Sequence, residues 1–258
     1  MATHLIAYQQ TVAPATLTEI NALVDDVLTR VEATRYLVPA EVPNVIWAAG
    51  VGSKLLKAML YSPSIEVRRM QPYIMPLNSG AAVFDLNVAK IFKPSPPITL
   101  VPTEALSAKI IASDATPASN VVLVCLGPAA LPPMPAGEIR RVRCTSSTTL
   151  TPNVWTSVKI VPDIALEAGT YALVNFYAYS ANAIAARVLI SGQVWRPGLP
   201  ALSGDSEDAA LRFNPKIFEL TSFYEMGRFT HMTIPEFQFL SAAADTSEVV
   251  YLDLIKVG

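Results

Sequence analysis

The sequence predicts an all-β protein, two tandem β-sandwiches behind one N-terminal amphipathic helix. Three observations carry this prediction. Apolar and polar residues alternate with a period of two over most of the chain. The alternating runs are separated by Pro, Gly, Asn and Ser clusters, and one stretch near the N-terminus follows a helical period instead. Prolines number 21 in 258 residues, above the average usage of roughly 5%, as expected for many short strands joined by stiff connections.

The helical stretch comes first. Thr16 and Glu19 have the spacing of a capping box. Leu17, Ile20, Leu23, Val24, Val27, Leu28 and Val31 then recur at helical spacing, with Asp25, Asp26, Arg30 and Glu32 largely opposite. A helix is expected from Leu17 to Ala33, ended by the extended segment that Pro39 and Pro43 impose. Its apolar face, Leu17, Ile20, Val24, Val27 and Val31, is expected to cap its own sandwich, or to reach a neighbouring subunit or an inner surface.

The strands follow. Phe84, Leu86 and Val88 alternate with Asp85 and Asn87. Leu106, Ala108 and Ile110 alternate with Ser107 and Lys109, and Val250, Leu252 and Leu254 with Tyr251, Asp253 and Ile255. Each reads as a strand with one face in a core. Leu55–Tyr61, Asn120–Leu126, Val154–Val161, Tyr171–Tyr179 and Ala183–Ile190 are further β-rich runs.

Two segments look duplicated. Ser119–Leu126 resembles Ser247–Leu254, and Pro43–Trp47 resembles Pro152–Trp155, in the same order. Gly127–Gly137, rich in proline, reads as a stiff linker. The expected organisation is an arm and helix over residues 1–37, then sandwiches over 38–135 and 136–258. The loop Arg196–Thr221 supplies the greater length of the second.

Composition limits function. The chain is 52% hydrophobic and 16% charged, with a mean hydropathy of +0.38, against roughly 25% charged residues in an average domain. So few charges leave two outlets, a bilayer or burial against other subunits. The bilayer is disfavoured. Glu19, Asp25 and Asp26 interrupt the first apolar region, so no secretory leader is expected. The uncharged run Ala168–Ala186 has strand character, and Ala115–Ala136 holds Pro117, Pro128, Pro132, Pro133 and Pro135. Burial between copies is the expected outlet. A formal net charge of −2 argues against a broad basic face for nucleic acid.

The inventory for catalysis is thin. His4 and His231 are the only histidines, too few for a cupin-type metal centre. No nucleophile elbow, phosphate-binding loop or dinucleotide fingerprint occurs. Cys125 and Cys144 lack zinc-ligand spacing and read as buried thiols. Carboxylate pairs such as Asp205 with Asp208, or Glu236 with Asp245, are no more than 21 acidic residues would offer. No enzyme, cofactor or metal is expected. Arg140, Arg141 and Arg143 have two readings: contact with genome or an anionic membrane surface, or a strand whose arginines pair with nearby acids. Arg68 and Arg69 are read the same way. Trp155 and Trp195 are expected to anchor a core or an interface.

Glu104–Ala112 leading into Val121–Val124, Leu166–Leu173 leading into Arg187–Ile190, and a closing strand Val249–Val257 complete the pattern. With it the chain resembles the double jelly-roll major capsid proteins of tailless icosahedral viruses. The resemblance implies two upright jelly rolls, homotrimeric capsomers of pseudo-hexagonal outline and self-assembly into an icosahedral shell. It further implies a virion location after assembly in the host cytoplasm. Minor capsid proteins, genome and an internal membrane are the partners it brings into view. The alternative is another β-sandwich structural or binding module: a virion spike, a tail component or a carbohydrate-binding protein.

Overall fold

The computed structural model describes residues 2–11, 16–52, 54–75, 91–112, 119–203, 207 and 224–258. Phe84–Val88 lies outside these residues. The chain divides into two compact units, Leu5–Ala129 and Ala130–Gly258, the second joined by Met1–His4.

The first unit holds β1 (His4–Gln10), β2 (Thr18–Glu19), β3 (Asn21–Ala22), β4 (Arg30–Val31), β5 (Arg35–Leu37), β6 (Asn44–Val51) and β7 (Leu55–Tyr61). After the short helix α1 (Pro63–Val67) come β8 (Tyr73–Ile74), β9 (Ile98–Thr99), β10 (Ala105–Ala112) and β11 (Asn120–Gly127). One sheet has the order β3-β1-β11-β6-β9. The other is β4-β5-β10-β7-β8, with β2 also paired to β10. Two buried tyrosines stitch the sheets reciprocally. Tyr8 of β1 donates its hydroxyl to the Leu106 carbonyl of β10 at 2.7 Å, and Tyr36 of β5 directs its hydroxyl at the Leu23 carbonyl just after β3 at 2.5 Å and the Ala7 carbonyl of β1 at 3.0 Å. Their rings meet edge to face with centroids 5.2 Å apart.

The second unit holds β12 (Arg140–Ser146), β13 (Trp155–Val158), β14 (Val161–Pro162), β15 (Thr170–Tyr179), β16 (Ala183–Leu189), β17 (Gly198–Pro200), β18 (Gly227–Thr230), β19 (Glu236–Ser241) and β20 (Glu248–Lys256). Its sheets are β14-β12-β20-β15-β18 and β13-β19-β16-β17. Phe176 of β15 and Phe237 of β19 meet edge to face at 5.0 Å between them. Both units are β-sandwiches. When the short strands β2, β3, β4 and β14 are set aside, the described residues of each unit form eight strands in the same arrangement. In chain order, one sheet runs 1-8-3-6 and the other 2-7-4-5.

Alternation holds in part in β10, where Leu106, Ala108 and Ile110 are buried and Lys109 and Ile111 are half-buried, but Ser107 is buried too. It does not in β20, where both faces are buried: Val250, Leu252 and Leu254 on one, Asp253 and Ile255 on the other. Of the two sequence matches, Ser119–Leu126 and Ser247–Leu254 both fall on eighth strands, β11 and β20. The other pair is not equivalent, because Pro43–Trp47 enters β6, a third strand, and Pro152–Trp155 enters β13, a second strand.

The helix expected over Leu17–Ala33 does not form. Thr18 and Glu19 pair with β10 in one sheet, and Asn21 and Ala22 pair with β1 in the other. The chain changes sheets at buried Ile20, whose N–H donates to the Ala108 carbonyl at 3.0 Å. Glu19 does not cap a helix; its carboxylate accepts from Thr34 at 2.6 Å and Arg35 at 2.9 Å. Asp25 turns the chain by accepting from the N–H groups of Val27 and Leu28 at 2.8 and 2.9 Å. The physical reason is twofold. Ile20, Val24, Val27 and Val31 are β-branched and stiff in a helix, and a mid-segment Asp prefers such local turns to helix. Strand pairing with β1 and β10 then outweighs a period-3.6 pattern that had no packing partner of its own.

The β4–β5 hairpin turns through Glu32 and Ala33, both left-handed at φ +54° and +58°. For a non-glycine residue that conformation costs about 1–2 kcal/mol. Ala33→Gly is therefore expected to stabilise the first unit by about 1 kcal/mol in urea or guanidinium unfolding, with an unchanged m-value.

Candidate functional site

The arginines of β12 form the densest charged cluster on the second unit. The register of β12, β20 and β15 sets Arg141 opposite Asp253 and Arg143 opposite Tyr251, with Asn175 and Tyr177 next across the sheet. Arg141 grips Asp253 with two bonds, Nε to Oδ1 at 2.7 Å and Nη2 to Oδ2 at 3.0 Å, while its guanidinium lies 4.6 Å from the Tyr177 ring centroid. Asp253 is only 1% exposed, so this pair is a desolvated carboxylate held by a half-exposed cation. Burial, with the Asp253 charge adding to it, raises the Tyr177 phenol well above its usual range.

Arg143 binds Glu207 through Nε and Nη2 at 2.8 and 2.7 Å and Asp163 through Nη1 at 2.6 Å, and the Tyr251 hydroxyl donates to the same Glu207. The Arg143 guanidinium holds the Glu207 carboxyl below the usual carboxylate range. Arg140 and Lys256 both reach Glu167, at 3.4 and 3.3 Å, and lower its affinity for a proton, Lys256 the more strongly. Arg140, Arg141, Arg143 and Lys256 are thus matched by Asp163, Glu167, Glu207 and Asp253. The group carries no excess positive charge.

Beside this row lies a cleft of about 430 Å³ between β12 and the segment Asp163–Glu167. Val142, Leu166, Tyr171 and Leu254 line it together with Arg140, Arg143 and their acids. Its walls are mainly apolar and its charges already paired.

The residues expected on the helix face do not come together. Ile20 is buried; Leu17, Val27 and Val31 are half-buried on separate elements, and Val24 is 70% exposed. The histidines are structural in placement. His4 is buried: its Nδ1 accepts from the Arg196 N–H at 3.1 Å, and its ring meets Trp195 edge-on. His231 follows β18, where its Nδ1 accepts from the Gly169 N–H at 3.1 Å. Trp155 is buried beneath the Arg187 guanidinium, 4.3 Å away, so it offers no open platform for a sugar. Neither cysteine forms a disulfide and both are buried, and burial pushes the Cys144 thiol up to about 12. Among the described residues no group of three or more His, Cys, Asp and Glu could hold a metal, and no helix is long and apolar enough to cross a membrane.

One group escaped the sequence reading. Glu248, the first residue of β20, is fully buried and neither carboxylate oxygen has a hydrogen-bond partner. Its place at the head of an apolar strand, immediately after the polar Asp245-Thr-Ser run, was the only available signal.

No family model matches the sequence, and no curated protein matches it. Among solved structures, the major capsid protein P2 from bacteriophage PM2 aligns over 99% of this chain and 98% of its own, at 10% identity and a TM-score of 0.24. A Paenibacillus xanthan lyase aligns over 98% of this chain but 25% of its own, at 11% identity and a TM-score of 0.22.

The paired charges make a graded prediction. Arg141→Ala leaves the buried Asp253 carboxylate without its cation and is expected to destabilise the second unit by about 3 kcal/mol. Arg140→Ala removes an exposed pair and is expected to cost under about 1 kcal/mol. Chemical denaturation of the two variants beside the parent protein measures the difference.

Proposed function

We propose that this chain is a double jelly-roll major capsid protein, assembling through homotrimeric capsomers into an icosahedral shell. The observation that carries the reading is the strand order. Sheets of order 1-8-3-6 and 2-7-4-5 are the two sheets of an eight-stranded jelly roll, and the order occurs twice in one chain. Composition supports it. A chain with 16% charged residues stays soluble by turning its flanks into subunit contacts, and closed symmetric shells supply those contacts. Exposed apolar side chains such as Val67, Val161, Ile164 and Met232 are material for such contacts.

In this reading the protein acts by geometry and carries no reaction. Its first partner is itself. Minor capsid proteins, genome or an internal membrane would be met at the shell's inner face, and the virion, built in the host cytoplasm, is its place of action. Arg140, Arg141 and Arg143 serve to hold β12 in its sheet, since acids already neutralise them.

Mass photometry and light scattering of the purified protein are expected to give a species three times the 27.8 kDa chain mass. Electron cryomicroscopy of particles containing it is expected to show pseudo-hexagonal capsomers with two uprights per chain. A protein that stays monomeric at high concentration, and is absent from any particle, rules the reading out.

A further inference from the structure

The unpartnered carboxyl of Glu248 sits at a corner of the second unit where three segments meet. Across the ladder it faces Ser146, the last residue of β12. Behind it, Ser147–Leu150 folds back, tied by the Thr148 N–H to Ser146 Oγ at 3.3 Å and by the Leu150 N–H to the Asp245 carbonyl at 2.8 Å. On the other side of β20, β15 presents Tyr179 opposite Val249, and then Ser180. The charged group facing Glu248 is Asp245; the neutral groups near its carboxyl are the Ser146 hydroxyl and the N–H groups of Thr148 and of Glu248 itself.

The two acids are treated oppositely. Asp245 accepts from the Ser180 hydroxyl, from the N–H groups of Asn182 and Thr246 at 3.4 and 2.7 Å, and from Ser247 Oγ at 3.3 Å. Although burial opposes it, these donors keep Asp245 ionised below the usual carboxylate range. Glu248 is fully enclosed, neither of its oxygens makes a full hydrogen bond, and the donors near it (its own N–H, the Thr148 N–H and Ser146) offset its burial only in part, while it lies in the field of that fixed negative charge. An ionised carboxylate there would be a buried charge with too few donors and, among the described residues, no cation, which is unfavourable.

We propose that Glu248 is a proton-controlled latch. In its neutral form it closes the corner made by the end of β12, Ser147–Leu150 and the Asp245 loop, and loss of its proton opens that corner. Burial first, and Asp245 second, push the Glu248 carboxyl up to about 7. The folded form therefore holds its proton more tightly than the opened chain, where a glutamate titrates near 4.3. The latch is fully closed at acidic pH and weakens as the pH rises towards and through neutrality. The device is independent of the capsid reading and holds for the single chain.

The test is hydrogen exchange of the full-length protein at pH 6 and pH 8, corrected for the intrinsic pH dependence of exchange. Peptides covering Ser146–Leu150 and Asp245–Val249 are expected to lose protection about tenfold across this interval, while β16 and β19 stay unchanged. In Glu248→Gln, which mimics the neutral acid, the loss is expected to vanish. Carbon-13 NMR of the parent protein's carboxyl groups supplies a second measurement, with one glutamate expected to titrate near neutrality. The proposal is overturned if protection is flat in the parent, if Glu248→Gln loses it equally, or if no glutamate titrates above pH 5.5. It is overturned as well if millimolar calcium restores protection at pH 8 and a chelator abolishes it at pH 6, which would make the corner a cation site.

Discussion

Each unit depends on where its last strand lies. In the arrangement 1-8-3-6 the eighth strand is interior, hydrogen-bonded to the first and third strands, so neither sheet nor core can close without it. β20 pairs along seven residues with β12 and along nearly its whole length with β15, and β11 is buried at every position. Both strands are buried on both faces; Val121–Leu126 is apolar throughout, and Val249–Ile255 is largely so, with the paired Asp253 as its charged member. Burial of this kind, joined across a hundred residues of chain, stabilises a fold that is slow to reach.

The buried charged and phenolic groups Asp253, Arg187, Tyr8 and Tyr36 are each matched. Asp253 is tolerated because Arg141 supplies two bonds. The buried Arg187 guanidinium is tolerated because Gln238 accepts from it at 2.8 Å and Trp155 gives it a ring face. Tyr8 and Tyr36 place their hydroxyls on main-chain carbonyls of the opposite sheet, which fixes how the sheets of the first unit face each other. Glu248 departs from this pattern, and its neutral form is the physical resolution.

The all-β class was legible because alternation and proline punctuation are local properties, as in Leu106–Ile110 and the runs that became β7, β11, β15 and β16. The segment Leu17–Ala33 was misread because helical spacing and a capping box are local signals too, whereas its true partners, Lys109, Ile110, Tyr8 and Gln9, lie in strands it reaches only through tertiary pairing. Left-handed Glu32 and Ala33 left no trace, since neither residue favours that conformation. The arginine cluster was visible as a run, but its neutralisation was not: Asp253 and Glu207 lie 112 and 64 residues away from the arginines they bind. Ser247–Leu254 could be matched to Ser119–Leu126 because both fill the interior eighth position, where burial on both faces favours apolar residues.

The arginines of β12 have a consequence during synthesis. This strand leaves the ribosome about a hundred residues before β20, and translation at roughly 5–20 residues per second makes that an interval of roughly 5–20 seconds. For that time β12 offers an unpaired edge to every other nascent chain. Three positive charges within four residues, Arg140 to Arg143, repel identical edges on neighbouring polysomal chains. The acids that later neutralise them arrive with Asp163, Glu207 and finally Asp253, so the strand becomes compatible with close packing only as its own sheet closes.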